Sequence, residues 1–412
     1  MHNELYIREF GRILKDKETA QISVKEITLN PVDWDFLANH ANSNFKDDKF
    51  IDIVNLTTLR VKNFVGVITT PSGTQIEILP KIDNGDTIDR SRLALEKMLK
   101  VVNNLPFIQT TKSNLKVKNQ PLPEVLIGWF LGYVDKIVKQ GIRKDYNRIN
   151  AQEKFLKGQL QTHKQLNEPP HKQHLFHIEY DVFSMNRAEN RLIHSALLQA
   201  LKWSKDNHNQ KQAKHFLMLF DEVPLAKNYK NDFLKWSKSR DMDYYQSVLP
   251  WLKLILNQQS PFTIKDKNAG ISFLIPMEKL FERYVAKMLS KKLPQGFYLR
   301  EQVSSKYLSD SPKAFQMKPD IAIYKGDKIV RILDTKWKLI DQNATYENGN
   351  NDKKKDISQS DVYQLFAYGK KYKVDEVVLI YPKWEKFDKD FSYKLEDDLM
   401  LKIESFDISV DA

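Results

Sequence analysis

The chain has 412 residues, with 65 lysines and arginines against 53 aspartates and glutamates, and it has no cysteine. This length predicts two or three domains. The lack of cysteine excludes disulfide scaffolds, thiolate zinc sites and cysteine nucleophiles, and it favours a cytoplasmic protein. The net charge of +12 fits an anionic partner such as nucleic acid without identifying one.

Two further classes are excluded by the absence of their sequence patterns. No apolar run approaches the ~20 residues of a membrane span, so we expect no membrane contact. The chain contains no G-x-x-x-x-G-K-[ST] motif and only 13 glycines. Because no loop is suited to cradle a triphosphate, we expect this chain to bind no nucleotide.

The first half of the chain changes from a strand pattern to a helix pattern. Residues 50–82 alternate apolar and polar positions and break at 71–73, which predicts strands joined by a hairpin turn. From about 87 to 140 the spacing becomes helical. A strand is predicted at 174–183, followed by a helix whose apolar face carries Ala188, Leu192, Ala196 and Leu197.

These patterns predict an α/β fold, α+β overall, in three regions. They are a β-rich N-terminal region at 1–165, a helical middle at 166–268 and a C-terminal α/β domain at 269–412. Residues 260–270 have the composition of a linker. Residues 341–360 are too polar to pack, and we expect them to form a mobile loop.

The segment 318–338 reads as a hairpin with charged residues at its open end. Its strands, "DIAIY" and "KIVRILD", are joined through residues 325–328, which brings position 320 opposite 333 or 334. Asp320 and Asp334 therefore become neighbours. Since side chains alternate along a strand, Lys336 projects to the same side as Asp334.

Two carboxylates and an ammonium group on one patch suggest a metal site. Like charges across a strand pair destabilise it by up to ~1 kcal/mol unless they are neutralised, and a hard divalent cation such as Mg²⁺ neutralises them. Such a site can support phosphodiester hydrolysis. The alternative is that Asp320 caps a strand while Asp334 pairs with Lys336 in solvent.

Two predicted helices carry further polar candidates. In "PMEKLFERYVAKML", Glu282 borders an apolar stripe, and Glu278 lies on the same side. The stripe consists of Met277, Leu280, Phe281, Tyr284, Val285 and Met288. In "SDVYQLFAY", one helical face carries Asp361, Gln364, Leu365 and Tyr368.

These motifs together resemble a known nuclease family. Pro319-Asp320 followed by Asp334-Thr335-Lys336 resembles the PD-(D/E)xK nuclease motif. "LDTKWK" followed by "ISQSDVYQLFAYGKKYKVDEVVLIYP" resembles McrC, and the helix of Glu282 resembles the M-x-x-L-F-E-x-[FY]-V helix of McrC proteins. Further McrC-like segments, "VGVITTPSGTQIEILPKI", "FLKGQL" and "IEYDVFSMNRAENRLIHSAL", occur in the expected order.

The resemblance implies an activity and a set of roles. McrC is the nuclease subunit of McrBC restriction systems, so the C-terminal domain is expected to be restriction-endonuclease-like. Asp320, Asp334 and the Thr335 backbone carbonyl are then expected to bind Mg²⁺, for which Mn²⁺ can substitute. Glu282 is expected to assist directly or through water, Lys336 to stabilise charge or position water, and Gln364, at the family's Y-Q position, to assist.

The resemblance also implies partners. One is a McrB-type AAA+ GTPase ring, which docks on the N-terminal region and whose GTP hydrolysis this chain stimulates. The other is double-stranded DNA carrying a methylcytosine-type modification, cut in antiviral defence. A stand-alone resolvase or repair nuclease of the same fold and a non-catalytic adaptor of the motor remain alternatives. The recognised base and the choice between Glu282 and Glu278 stay open.

Overall fold

The computed structural model of the chain forms two compact units. One combines both chain ends, residues 1–122 and 266–412, and is called here the terminal unit; the other, residues 123–265, is called the central unit. The structure describes residues 4–42, 50–82, 88–102, 120–237, 239–257, 273–344 and 354–408. The three predicted regions remain a prediction, and the predicted linker at 260–270 lies outside the described residues.

The first part of the terminal unit is rich in strands, as predicted from residues 50–82. The backbone of Thr70 donates to the Thr74 carbonyl at 2.9 Å, which closes the predicted hairpin turn. One sheet here has the strand order β3-β4-β2-β6-β5. The elements are β1 (Glu4–Arg8), β2 (Arg12–Lys15), β3 (Ala20–Ser23), β4 (Glu26–Leu29), α1 (Pro31–Asn42), β5 (Ile51–Asn55), β6 (Thr58–Val61), β7 (Phe64–Thr69), β8 (Gln75–Leu79) and α2 (Ile88–Val102).

The central unit combines helices with a three-stranded antiparallel sheet. Its sheet has the order β10-β11-β9. The predicted apolar face of α5 is confirmed, because Ala188, Leu192, Ala196 and Leu197 are all buried. The elements are α3 (Leu122–Gln140), β9 (Asp145–Glu153), β10 (Gln159–Leu160), α4 (Thr162–Leu166), β11 (Phe176–Ser184), α5 (Ala188–Trp203), α6 (Asn207–Leu219), α7 (Tyr229–Leu234), α8 (Asp243–Gln246) and α9 (Leu249–Asn257).

The last part of the terminal unit holds the predicted hairpin. Its strands form a six-stranded mixed sheet with the order β13-β16-β17-β18-β20-β19. The elements are β12 (Phe273–Pro276), α10 (Met277–Lys292), β13 (Phe297–Glu301), β14 (Lys306–Asp310), β15 (Lys313–Met317), β16 (Ile321–Lys325), β17 (Lys328–Thr335), α11 (Gln359–Tyr372), β18 (Glu376–Pro382), β19 (Phe391–Lys394) and β20 (Met400–Phe406).

Both ends of the terminal unit share one sheet. Strand β12 pairs antiparallel with β7, placing Ile275 opposite Val65 and completing the order β1-β8-β7-β12. The next backbone amide, that of Met277, donates to the Asn63 carbonyl at 2.8 Å. Helix α10 therefore starts directly from the N-terminal sheet.

Helices α10 and α11 pack by the faces that the sequence predicted. All six residues of the apolar stripe of α10 are buried. On α11, Leu365 and Tyr368 are buried in a core that includes Ile332 of β17 and Val377 of β18. Since β17 and β18 are parallel and α11 lies between them in the chain, α11 is the crossover that parallel pairing requires.

The predicted fold class, α/β and α+β overall, is confirmed by this mixture of helices and mixed sheets. Among the described residues, none of the helices has the length and apolar composition needed to cross a membrane.

The packing of α11 gives a stability prediction. Leu365 is 0 % exposed, whereas Tyr363 on the same helix is 63 % exposed. We expect Leu365→Ala to lower the free energy of unfolding by about 2–5 kcal/mol, because it leaves a cavity beneath the helix. Tyr363→Ala is the matched control and should change it by less than about 0.5 kcal/mol. Chemical denaturation measures both, and equal effects would contradict this packing.

Candidate active site

The pairing of β16 with β17 brings the two predicted aspartates together. Ile321 lies opposite Leu333, so one further step along the ladder places Asp320 opposite Asp334. This is one of the two registers that the hairpin loop predicted. Asp320 Oδ2 accepts hydrogen bonds from the Thr335 backbone amide at 2.9 Å and from the Thr335 hydroxyl at 3.0 Å. The Asp320 carboxylate is therefore fixed against the end of the neighbouring strand.

Asp334 is a buried carboxylate whose negative charge is only partly compensated by its neighbours. Its residue is only 2 % exposed, and Oδ2 makes no hydrogen bond within the described structure. Lys336 Nζ lies 2.7 Å from Oδ2, at ion-pair distance. Burial, followed by the charge of Asp320, raises the pKa of Asp334 to about 6. Asp334 therefore forms the ion pair with Lys336 that the alternative to a metal site predicted. The Asp334 side chain is, however, buried and not in solvent.

Lys336 is held by several carboxylates. Besides Asp334, Asp361 of α11 lies 3.8 Å from its ammonium nitrogen. Burial lowers the pKa of Lys336, but the charges of Asp334, Asp361 and Asp320 outweigh burial and raise this pKa above its ordinary value. The side chain is therefore a positive charge at neutral pH. Asp361 was predicted to lie on the buried face of its helix, but its approach to Lys336 was not.

Glu282 of α10 lies beside Asp320, and a glutamine joins the two. Gln302 Nε2 donates to Glu282 Oε1 at 2.5 Å and approaches Asp320 Oδ1 at 3.4 Å. Burial, followed by the charge of Asp320, raises the pKa of Glu282 to about 7. Four carboxyl-bearing residues, counting Asp361, and one ammonium group are thereby brought to one end of the sheet.

Gln302 is the site residue that sequence reasoning missed. It follows β13 with a φ of 52°, in the left-handed region, and its backbone amide donates to the Asp320 carbonyl at 2.9 Å. Non-glycine residues adopt this conformation infrequently. The pairing of β13 with β16 determines the position of Gln302, and no local sequence motif around residue 302 predicts it.

The remaining candidates lie farther from the carboxylate pair. Glu278 is exposed, and its charge acts on the buried Glu9. The Gln364 amide donates to the Tyr368 hydroxyl at 2.8 Å. Across the described ranges, no hydrogen bond joins Gln364 to Asp320 or Asp334. From helix α11 it is Asp361, and not Gln364, that reaches the charged cluster.

The oxygen donors of this site fit a hard divalent cation. Within the described residues, no three His, Cys, Asp or Glu side chains form a ready-made metal cluster. Mg²⁺, however, typically keeps several waters and uses only one or two carboxylates of the protein. The opposed Asp320 and Asp334 supply that number, and a cation bound at Asp334 Oδ2 would share this oxygen with Lys336 Nζ, which lies 2.7 Å away. The expected third ligand, the Thr335 carbonyl, belongs to the adjacent residue.

Comparisons with known proteins identify the family of this chain. Residues 59–382 match the family described as "McrBC 5-methylcytosine restriction system component". The chain belongs to this McrBC family. The match spans the hairpin, α10 and α11, so the resemblance stated from the motifs is confirmed. No curated protein sequence matches the chain.

Solved structures related to McrBC share the fold. One is described as a refined half-complex from a tetradecameric assembly of Thermococcus gammatolerans McrB AAA+ hexamers with bound McrC. It gives a TM-score of 0.71 at 19 % identity and covers 100 % of this chain and 97 % of that one. A cryo-EM structure of the Thermococcus gammatolerans McrBC complex gives 0.52 at 21 % identity, covering 73 % and 90 %. At these identities the likeness concerns the fold.

The raised pKa of Asp334 predicts a pH-dependent stability difference without metal. Above pH 6 the folded state carries an ionised carboxylate that its surroundings disfavour, so Asp334→Asn should stabilise the chain by about 1 kcal/mol. The gain should shrink as the pH falls through about 6 and should disappear below about 3.8, where the wild-type group is protonated in both states. Denaturation in chelator at pH 8 and pH 4.5 tests this.

Asp327→Asn, in the exposed hairpin turn, is the matched control for the loss of one negative charge. It should change stability little at either pH. A destabilised Asp334→Asn at pH 8 would show that the ion pair with Lys336 outweighs burial and the repulsion from Asp320.

Proposed function

We propose that this chain is the metal-dependent endonuclease subunit of a McrBC-type restriction system. The observation that carries the proposal is the opposition of Asp320 and Asp334 at the end of a sheet, with Lys336 at 2.7 Å from Asp334. A buried like-charged pair is costly to keep unless a cation or a reaction uses it. The family membership supports the same function.

Asp320 and Asp334 would hold Mg²⁺ together with the Thr335 carbonyl. When bound, the ion supplies Lewis-acid polarisation of a phosphodiester and lowers the pKa of a bound water. The hydrogen bonds from Thr335 to Asp320 Oδ2 hold that carboxylate in place before any ligand arrives. Because the Asp320 carboxylate is already held in place, it needs little rearrangement when the reaction takes place.

Lys336 would act on the negative charge that develops at the scissile phosphate. It is protonated at neutral pH because of the surrounding carboxylates, and its ammonium group can also orient an attacking water. Glu282, with a pKa of about 7, can accept or give a proton near neutral pH, and Gln302 fixes its orientation. Gln364 retains the assisting role that the family implies, through its contact with Tyr368.

An exposed cation on the same face of the sheet supports a nucleic-acid substrate. Arg300 lies opposite Ala322, which lies opposite Ile332, and Ile332 is two positions from Asp334 along β17, so Arg300 and Asp334 share a face of the sheet. Its guanidinium lies over the stacked rings of Tyr298 and Tyr324, at 5.4 and 5.1 Å from their centroids. Arginine held in this way is suited to bind a backbone phosphate.

A McrB-type AAA+ GTPase ring is the proposed partner. The structural relative of similar length comes from an assembly of McrB AAA+ hexamers with bound McrC, which supports the same arrangement for this chain. The chain lacks a triphosphate-binding motif of its own. Recognition of double-stranded DNA with a methylcytosine-type modification would then belong to the partner, and this chain would cut and would stimulate GTP hydrolysis.

Two substitutions separate the proposed roles of metal ligand and charge stabiliser. Lys336→Ala should leave Mg²⁺ affinity nearly unchanged while lowering DNA cleavage by the assembled system roughly 10²-fold or more, since it acts on developing charge. Asp334→Asn should abolish cleavage and weaken Mg²⁺ binding together. Metal titration and cleavage rates measure both. Loss of metal affinity in Lys336→Ala equal to its loss of rate would overturn the assignment.

Dependence on the partner gives a further prediction. The chain alone should hydrolyse neither GTP nor ATP and should cut DNA poorly, and mixing with its McrB-type AAA+ GTPase partner should produce both GTP hydrolysis and cutting of modified DNA. Strand breaks and phosphate release are followed together on modified and unmodified DNA.

The outcomes distinguish the alternatives. Robust cutting of unmodified DNA by the chain with Mg²⁺ alone, with no effect on the GTPase, would favour a stand-alone resolvase or repair nuclease. Stimulated GTP hydrolysis without any cutting, unchanged by Asp334→Asn, would favour a non-catalytic adaptor.

A further inference from the structure

A buried carboxylate of the N-terminal sheet reaches the segment that follows the proposed catalytic lysine. Glu9 directly follows β1 and is 3 % exposed. Its backbone amide donates to the Leu79 carbonyl at 3.0 Å, and its Oε1 accepts from the Lys81 backbone amide at 2.7 Å. Glu9 is thus fixed to the end of β8 by two hydrogen bonds.

The same carboxylate oxygen also holds Trp337. The Trp337 indole N–H donates to Glu9 Oε1 at 2.7 Å. Trp337 follows Lys336 in the chain, and its ring packs against Phe281 with centroids 5.2 Å apart. Phe281 in turn precedes Glu282 on α10. The Trp337 ring therefore joins the residue after Lys336 to the residue before Glu282.

This contact acts where the sheet no longer fixes the backbone. Strand β17 ends at Thr335, and the Lys336 amide makes one more bond, to the Ile380 carbonyl at 2.9 Å. Beyond that point the backbone of Trp337 is outside the ladder. The backbone turns here, with the Lys338 amide donating to the Lys336 carbonyl at 3.0 Å, and the partly buried, directional bond to Glu9 holds the Trp337 side chain.

The Glu9 side chain acts here as a hydrogen-bond acceptor in surroundings that disfavour its charge. Glu9 Oε2 is buried and makes no hydrogen bond within the described structure. Burial, partly offset by the bonds from Trp337 and Lys81, raises the pKa of Glu9 to about 7. An amide side chain would satisfy the same two donors without burying a charge.

We propose that Glu9 is a positioning residue of the nuclease site: through Trp337 it sets the positions of Lys336 and Glu282, so the N-terminal sheet is a working part of that site. The inference rests on the proposed cleavage function. Glu9, Trp337 and Phe281 all belong to the terminal unit, which contains both chain ends. A partner bound to the N-terminal sheet would have a short physical connection to Lys336.

The test uses the full chain assembled with its GTPase partner and four variants. Glu9→Ala removes the acceptor, and Trp337→Phe removes the donor while keeping a ring against Phe281. Each should lower kcat for DNA cleavage by about 10-fold or more with little change in KM, because small misplacements of catalytic groups cost rate. Glu9→Gln keeps an acceptor oxygen and should stay within about 2-fold of wild type. The Glu9→Ala, Trp337→Phe double variant should be no slower than the slower single variant.

A fifth variant and a control distinguish a positioning role of Glu9 from a general loss of structure. In a Lys336→Ala background, Glu9→Ala should cause little further loss of rate, since the positioned group is gone. Stimulation of GTP hydrolysis should be unchanged throughout, which reports an intact fold and docking. If Glu9→Ala does not fold, Trp337→Phe carries the test by itself.

The outcomes are separable from those of the proposed function. Full cleavage by Glu9→Ala and Trp337→Phe would overturn the positioning role while leaving the nuclease assignment standing. Rate losses that simply multiply in the double variant, or a Glu9→Gln variant as slow as Glu9→Ala, would also overturn it. A wild-type assembly that cuts no DNA would instead remove the proposed function on which this inference rests.

Discussion

The forced proximity of Asp320 and Asp334 is the constraint on which the site depends. Strand pairing leaves no freedom here, because the register Ile321 to Leu333 fixes the next pair. The protein compensates the resulting repulsion in two ways. Thr335 donates two hydrogen bonds to one carboxylate, and Lys336 forms an ion pair with the other. The compensation is partial, since burial and Asp320 still raise the pKa of Asp334.

The negative charge that remains uncompensated at Asp320 and Asp334 explains the properties of the surrounding side chains. Ionised carboxylates at a poorly hydrated end of a sheet favour the binding of a hard cation. Electrostatic interactions are also stronger in such a place than in bulk water. Glu282 shares the same environment, so its pKa moves into the neutral range. The pKa of Lys336 is also raised, which for an amine means that the positive charge is held more firmly. One local arrangement thereby brings together two carboxylates suited to a hard cation, a fixed ammonium group and a titratable glutamate.

The terminal unit is built so that distant parts of the chain support this end of the sheet. Strand β12 is paired in the N-terminal sheet, and α10 starts from it without a break. Helix α11 approaches from its place as the crossover between β17 and β18, bringing Asp361 to Lys336. The site thus draws on the N-terminal sheet, on α10 and on α11, and its geometry depends on how all three pack against the hairpin.

The sequence by itself determined the features that depend on local periodicity. Strand alternation and the length of one turn limited the partner of Asp320 to position 333 or 334 and placed Lys336 on the side of Asp334, and helical spacing identified the buried stripe of α10. Tertiary structure decided the rest. Gln302 enters the site through the pairing of β13 with β16 and a left-handed backbone conformation, and Glu9 meets Trp337 across 328 positions of the chain. Such contacts leave no periodic signal in one sequence, because they arise only when separate elements are packed together.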